Sequence, residues 1–298
     1  MDNRESVRAF LGYLGNERRL SEHTLRSYQT DLDQFSQFLK EMEGSEEETD
    51  RSLVRLWLIQ LMELGRSPRS IQRKLSALSS WYGYQILHGI RRENPVKGIK
   101  APKLNPELPQ FVPASQVASL LASLDWSAEG YQGSLMVFLL YGTGIRRAEL
   151  IDLKWSDIRG FQVMRVRGKG NKQREVVIVE ELGRRLKEFW KIQLETKGEK
   201  GSWVFTTQQG EKLYPKFVYR EVNKYLGKAT SLKKRSPHVL RHSYATHLME
   251  NGADISSIQK LLGHSSLNAT QVYTHTSVEK IKNIHASFHP RGKGGKLK

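Results

Sequence analysis

From His238 to Tyr273, 36 residues place His238, Arg241, His264 and Tyr273 in close succession. They lie in three short motifs: His238-x-x-Arg241, Leu262-Gly263-His264-Ser265-Ser266 and Val272-Tyr273-Thr274-His275. His238 and Arg241 are three apart, so they share one face at the start of a helix opened by Pro237. A helix start presents free N–H groups and a positive partial charge, which suits a bound anion. Ile255 to Leu262 predicts a further helix that Gly263 ends in a left-handed turn, leaving His264 just beyond it. A tyrosine phenol has an unperturbed pKa of about 10, so Tyr273 as a nucleophile needs a cationic or basic neighbourhood. The combination points to a phosphate site with a nucleophile beside it.

Two upstream segments add to this set. Tyr141-Gly142-Thr143-Gly144-Ile145-Arg146-Arg147-Ala148-Glu149-Leu150 places an arginine at a helix start behind two glycines. It imitates a dinucleotide-binding loop, but Arg147 takes the slot of the third glycine and no parallel-sheet pattern surrounds it, which argues against that reading. Gly168-Lys169-Gly170-Asn171-Lys172 is turn-rich and sits between two alternating segments, so Lys169 is expected at an exposed hairpin tip. His238 and His242 have the i, i+4 spacing of half a metal site, but neither a third ligand nor an HExxH pattern is evident.

With these residues in place the chain resembles the tyrosine site-specific recombinases, the phage-integrase family, and among them the Xer type. The motifs at 143–149, 168–172, 238–241, 262–264 and 273–275 supply in order an Arg, a Lys, a His, an Arg, a His and a Tyr. Asn94-Pro95 and His289-Pro290-Arg291 are also Xer-like, whereas Arg147 stands where such relatives often carry an apolar or small residue. The resemblance leans to the XerC branch over XerD. It implies that Arg146 and Arg241 clamp the non-bridging oxygens of a scissile phosphate, and that Tyr273 attacks phosphorus to give a 3′-phosphotyrosine and a free 5′-hydroxyl. Lys169 would protonate the departing oxygen, His238 would accept a proton, His264 would donate a hydrogen bond to the phosphate, and Glu149 would orient the cluster. No metal, nucleotide or other cofactor is implied, since the tyrosyl ester conserves the phosphodiester energy.

The elements that must position these groups are mostly helical. Ser21 caps a helix with an apolar stripe of Leu25, Tyr28, Leu32, Phe35 and Leu39, ending near Gly44. Glu46 to Asp50 reads as a solvated acidic turn. Ser67-Pro68 opens another helix, with Ile71, Leu75, Leu78 and Tyr82 inward and Arg66, Arg69 and Arg73 on a different face. That arginine row, with Arg26, is expected on a phosphate backbone. Residues 94–113 hold Pro95, Pro102, Pro106, Pro109 and Pro113, too many for a helix, with Lys97, Lys100 and Lys103 among them. This predicts a basic linker along a duplex, dividing a helical core-binding (SAM-like) domain at 1–93 from a catalytic domain at 114–298. Phe161–Arg167 and Gln173–Val179 are expected as a hairpin, and Pro237 to about Glu250 as a helix closed by Gly252. The fold class is mainly α with a small β-sheet, and the resemblance implies a C-shaped clamp on DNA. Ser277 to Phe288 carries Val278, Ile281, Ile284 and Phe288 on one stripe, suited to docking on a neighbouring protomer.

Composition agrees with a polyanion partner. The chain has 48 basic and 31 acidic residues. The excess is uneven: residues 1–63 carry 8 Lys/Arg against 13 Asp/Glu, but residues 66–103 carry 9 against one. Neutralised phosphates release counterions, so such a surface favours a polyanion, and charge alone does not separate DNA from RNA or an acidic membrane. There is no cysteine, which excludes disulfides and thiolate metal sites. No run approaches the roughly 20 apolar residues of a membrane span, and Met1 to Glu5 lacks a signal core, so a cytoplasmic, nucleoid-associated protein is expected. The expected partners are double-stranded DNA at a dif-like site, a second Xer recombinase in a homo- or heterotetramer, and a DNA translocase. The expected process is resolution of chromosome dimers during cell division. A mobile-element or phage integrase of the same chemistry is the alternative, although an additional arm-binding domain ahead of the helical domain is not expected. An inactive architectural DNA-binding protein is a second alternative.

Overall fold

The structure, a computed structural model, describes residues 3–45, 48–103, 110–168, 172–197 and 202–263. It divides into two compact units, Met1–Glu107 and Leu108–Lys298.

The first unit is four helices: α1 (Asn3–Asn16), α2 (Glu22–Glu41), α3 (Arg51–Glu63) and α4 (Pro68–Leu87). Each later start is capped by a side chain. Ser21 accepts from Thr24 N, Asp50 from Leu53 N, and Ser67 from Ser70 N with Pro68 in the first turn. The inward stripes meet in a core built around Phe10, Leu32, Phe35, Trp57, Leu78, Trp81 and Tyr82. Asp31 is buried between α2 and α4, where Lys74 Nζ reaches its carboxylate at 2.9 Å and Arg73 pairs with it too. Residues 94–101 fold back on the same unit: Val96 is buried in its core, and Asn94 Nδ2 donates to Ser79 O at 3.0 Å.

The second unit is organised around α6 (Tyr131–Thr143), which is apolar on all sides and almost wholly buried. Around it pack α8 (Glu180–Lys197), α9 (Pro215–Ala229) and α10 (Pro237–Glu250), while α5 (Ala114–Ala122) lies on α9. The short α7 (Arg147–Ile151) follows α6 directly, and α11 (Ile255–Leu262) follows α10. The sheet is antiparallel in the order β1 (Ile158–Arg159), β2 (Val163–Arg167), β3 (Gln173–Val177). The expected hairpin is present, with Val166 opposite Arg174 and Met164 opposite Val176. Its first strand starts two residues late because Gly160 and Phe161 both take positive φ, turning the chain back from β1. That third strand went unforeseen, since two residues are too few for alternation to register.

No helix is long and apolar enough to cross a membrane, among the described residues.

Candidate active site

The site grows from the turn between α6 and α7. Gly144 ends α6 at φ 63°, a left-handed conformation that favours glycine. Space makes the same demand, because a Cβ there would lie 2.5 Å from Tyr244 Cδ1 and 2.9 Å from Leu262 Cδ2. Ile145 then buries completely, which sends the next side chain, Arg146, outward as the N-cap of α7. Glu149 folds back on it: its Oε2 accepts from Arg146 N at 2.7 Å, and its Oε1 from Arg146 Nη1 at 2.9 Å. Glu149 thus caps the helix and orients the guanidinium with one carboxylate.

Arg241 comes from α10, one turn after Pro237, and is only 8% exposed. Its Nη2 donates to Leu262 O at 2.7 Å, and its Nη1 donates to Gly144 O. Arg146 Nη2 donates to Gly263 O at 3.0 Å. A third arginine, Arg174 of β3, donates from Nε to Leu261 O at 3.3 Å. Three guanidinium groups from three elements therefore hold three consecutive carbonyls at the C-terminus of α11. Such carbonyls lack intrahelical donors and carry negative partial charge, so they are natural partners for cations. A guanidinium has five N–H donors. Arg146 and Arg241 each spend only part of that set on these partners, and Arg146 keeps about a third of its side chain exposed.

Electrostatics follow from this crowding. Burial, with the charges of Arg146 and Arg174, brings Arg241 down to about 10, so it stays cationic at neutral pH. Glu149 is buried, which raises its pKa, but the hydrogen bonds and charge of Arg174 and then of Arg146 outweigh that and hold it below the usual carboxylate value. His238 opens α10 with its ring reaching solvent. Partial burial lowers its pKa, and the charges of Arg147, Arg241 and Arg146 lower it further. It is therefore neutral at pH 7 and able to accept a proton.

The structure thus brings together Arg146, Glu149, Arg241 and His238. Lys169, His264 and Tyr273 lie outside the described residues, as does the stripe at 277–288. The described residues that precede Lys169 and His264 are in the cluster. Gly168, the residue before Lys169, would place a Cβ 3.6 Å from Glu149 Oε1 and 3.8 Å from Arg146 Nη1. Gly263, the residue before His264, closes α11 at φ 64° and is held by Arg146. Sequence reasoning missed Arg174. The available signal was a charge at an inward phase of β3, alternating with the buried Val176.

Among the described residues no group of three His, Cys, Asp or Glu side chains could hold a metal ion. In the first unit Arg66, Arg69, Lys97, Lys100 and Lys103 are exposed. Arg26 is exposed as well, with Glu22 at 3.3 Å. Arg73 is engaged by the Asp31 carboxylate and donates to Ser27 O at 3.1 Å, so it differs from the rest of the expected row.

The Phage integrase family profile matches residues 110–280, and that of the Phage integrase N-terminal SAM-like domain matches residues 7–89. The chain is 35% identical to the tyrosine recombinase XerC of Chlorobaculum parvum, over 94% of this chain and 93% of that one. It is 33% identical to the tyrosine recombinase XerD of Staphylococcus epidermidis, over 96% and 98%. Among solved structures it resembles the XerH recombinase bound to a difH substrate before cleavage, with TM-score 0.67, 25% identity, and 86% of this chain and 78% of that one covered. It also shares the fold of a lambda integrase dimer bound to a core site, with TM-score 0.70, 19% identity, and coverage of 91% and 99%. The arginine-lined cluster, the helical first unit and the relatives on both sides of the XerC–XerD division lead to one conclusion: the chain belongs to the phage integrase family, as a tyrosine recombinase of the Xer type.

Proposed function

We propose that this recombinase cuts and rejoins double-stranded DNA at a dif-like site through a 3′-phosphotyrosine on Tyr273, resolving chromosome dimers during cell division. The observation that carries the chemistry is the pair of guanidinium groups, Arg146 and Arg241, held side by side on Gly263 O and Leu262 O with donors to spare. Two anchored cations are suited to the non-bridging oxygens of a phosphodiester, where charge builds in the transition state.

The Tyr273 oxygen attacks phosphorus, forming the phosphotyrosyl bond as the bond to the 5′-oxygen breaks. The phenolic proton passes to neutral His238, and Lys169 gives a proton to the departing 5′-oxygen. His264 donates a hydrogen bond to the phosphate. Attack of a 5′-hydroxyl on the ester reverses these steps, so rejoining needs neither metal nor ATP. Exposed Arg26, Arg66, Arg69, Lys97, Lys100 and Lys103 hold the duplex backbone, with Arg73 contributing less because Asp31 engages it. The active assembly is a tetramer, either of this chain or with a second Xer recombinase, and a DNA translocase is the further partner. A relative bound to a difH site supports the target class. The same chemistry would serve a mobile-element integrase, and the two are told apart by whether footprinted chromosomal sites or element ends are recombined.

The test is a nicked suicide duplex carrying a site chosen by footprinting. The wild type should give a covalent protein–DNA adduct that survives denaturant, and Tyr273→Phe should give none. An adduct with the phenylalanine variant would assign the nucleophile elsewhere. No adduct with the wild type, despite binding, would favour an architectural protein.

A further inference from the structure

Arg174 has no role in the proposed reaction, yet it makes more side-chain hydrogen bonds than either Arg146 or Arg241. Its Nη1 and Nη2 meet Glu149 Oε1 and Oε2 at 2.6 and 2.9 Å, a two-point pair. Its Nε reaches Leu261 O, and its stem lies across Gly263, where a Cβ would come 2.9 Å from Arg174 Cδ. Glu149 turns those contacts into an orientation for Arg146 through both the backbone and the guanidinium. The side chain is 7% exposed and enters from the core face of β3 between valines, so it does not present itself to a phosphate. Nor does stability alone account for it. A buried ion pair replaced by packed apolar residues is often neutral or more stable, and Val166 and Val176 show that this sheet accepts such residues.

We propose that Arg174 is a positioning residue for strand cleavage, joining the β2–β3 hairpin, Glu149 and the end of α11 so that Arg146 is held for the scissile phosphate. This rests on the strand-cleavage reading above. Arg174 keeps the carboxylate of Glu149 ionised in a buried place, and only the anion accepts from Arg146 on both oxygens. The groups facing Glu149 are Arg146 from its own helix start, Arg174 from β3 and Arg241 from α10. Asp152, Lys154, Asp157, Arg165 and Arg167 share the adjoining cavity of about 160 Å³. Without Arg174, burial is opposed by Arg146 and the more distant cations alone, so Glu149 should take up a proton at a higher pH.

The experiment is single-turnover adduct formation on the nicked duplex from about pH 5 to about pH 9, a range that spans carboxylate and imidazole titration. Wild type, Arg174→Lys, Arg174→Gln, Glu149→Gln, the Arg174→Gln/Glu149→Gln double variant and Tyr273→Phe are compared. Arg174→Lys should cleave about tenfold slower and Arg174→Gln about 100-fold slower, the scale of a lost orienting contact. Duplex binding should be unchanged. Every variant that keeps Tyr273 shares the acid limb of His238; Arg174→Gln should lose rate more steeply toward acid than that shared limb, a difference that the double variant lacks, and the double variant should be no slower than Glu149→Gln. The proposal is overturned if Arg174→Gln cleaves within about threefold of wild type. It is overturned equally if the loss is the same at every pH and is matched by lost thermal stability and lost binding. A blank wild-type lane would remove the cleavage reading and this proposal with it, whereas an active wild type beside an unaffected Arg174→Gln would remove this proposal alone.

Discussion

A neutral histidine among arginines makes the protein's stability depend on pH with a definite sign. Burial lowers the pKa of His238, with nearby arginine charge adding to it, and burial also lowers that of His247, whose Nδ1 lies 3.0 Å from the Tyr141 hydroxyl. Unfolded imidazoles bind protons at about 6.5, so below that pH the unfolded chain takes up more protons than the folded one. Their contribution is therefore present in full above about pH 6.5 and is lost as the pH falls toward the folded values. Thermal melts at about pH 7.5 and about pH 5.5 should show a lower midpoint in acid, and His247→Gln should narrow the difference. An unchanged midpoint would mean these imidazoles titrate normally when folded. Cleavage should share the direction, with protonated His238 unable to accept the tyrosine proton. His238, Arg146 and Arg241 were legible in the sequence because Pro237 and Gly144 mark the helix starts at which they lie. Arg174 was not, because a lone charge in a strand looks like a solvated one until its face is known.

At the scale of elements, α11 is the part on which the site depends. Its last carbonyls hold Arg174, Arg241 and Arg146, and its start is capped by Asp254, which accepts from Ser257 N at 2.8 Å. Asp254→Ala should lower stability, because the first turn of the helix loses its side-chain cap. In denaturant melts that appears as a lower midpoint at unchanged slope; no change would show that tertiary contacts alone hold the helix start. In the first unit Asp31 is a stronger case. Asp31→Leu would leave Lys74, 4% exposed, buried without its carboxylate, a loss of about 3–5 kcal/mol by the usual cost of breaking a buried pair. Equilibrium unfolding measures it, and a loss below about 1 kcal/mol would mean that Gln34 or water satisfies the ammonium. Capping residues and apolar stripes made α2, α4, α10 and α11 readable in advance. The β1 turn was not, since Phe161 takes a left-handed conformation with no local signal for it.

For the whole molecule the governing quantity is charge. With 48 basic residues against 31 acidic, binding to a duplex should weaken steeply with salt, each phosphate contact adding about 0.9 to the slope of log K against log salt. Replacing both Arg66 and Arg69 with alanine should reduce that slope by about 2. Cleavage of bound DNA should be unchanged, because neither residue belongs to the arginine cluster. A slope identical to wild type would place both side chains away from the backbone.

The helical character of both units, the hairpin, the caps and the types of residue available for phosphate chemistry are all local properties of the chain. These follow from local periodicity and from side chains that act on their own backbone. Which charges meet is a matter of packing between distant segments. Arg73 is drawn into a buried pair, Arg174 turns inward to Glu149, and three arginines distant in sequence converge on the end of one helix. Such meetings depend on which faces the core buries and on where orphaned carbonyls fall, and neither is encoded within any one segment.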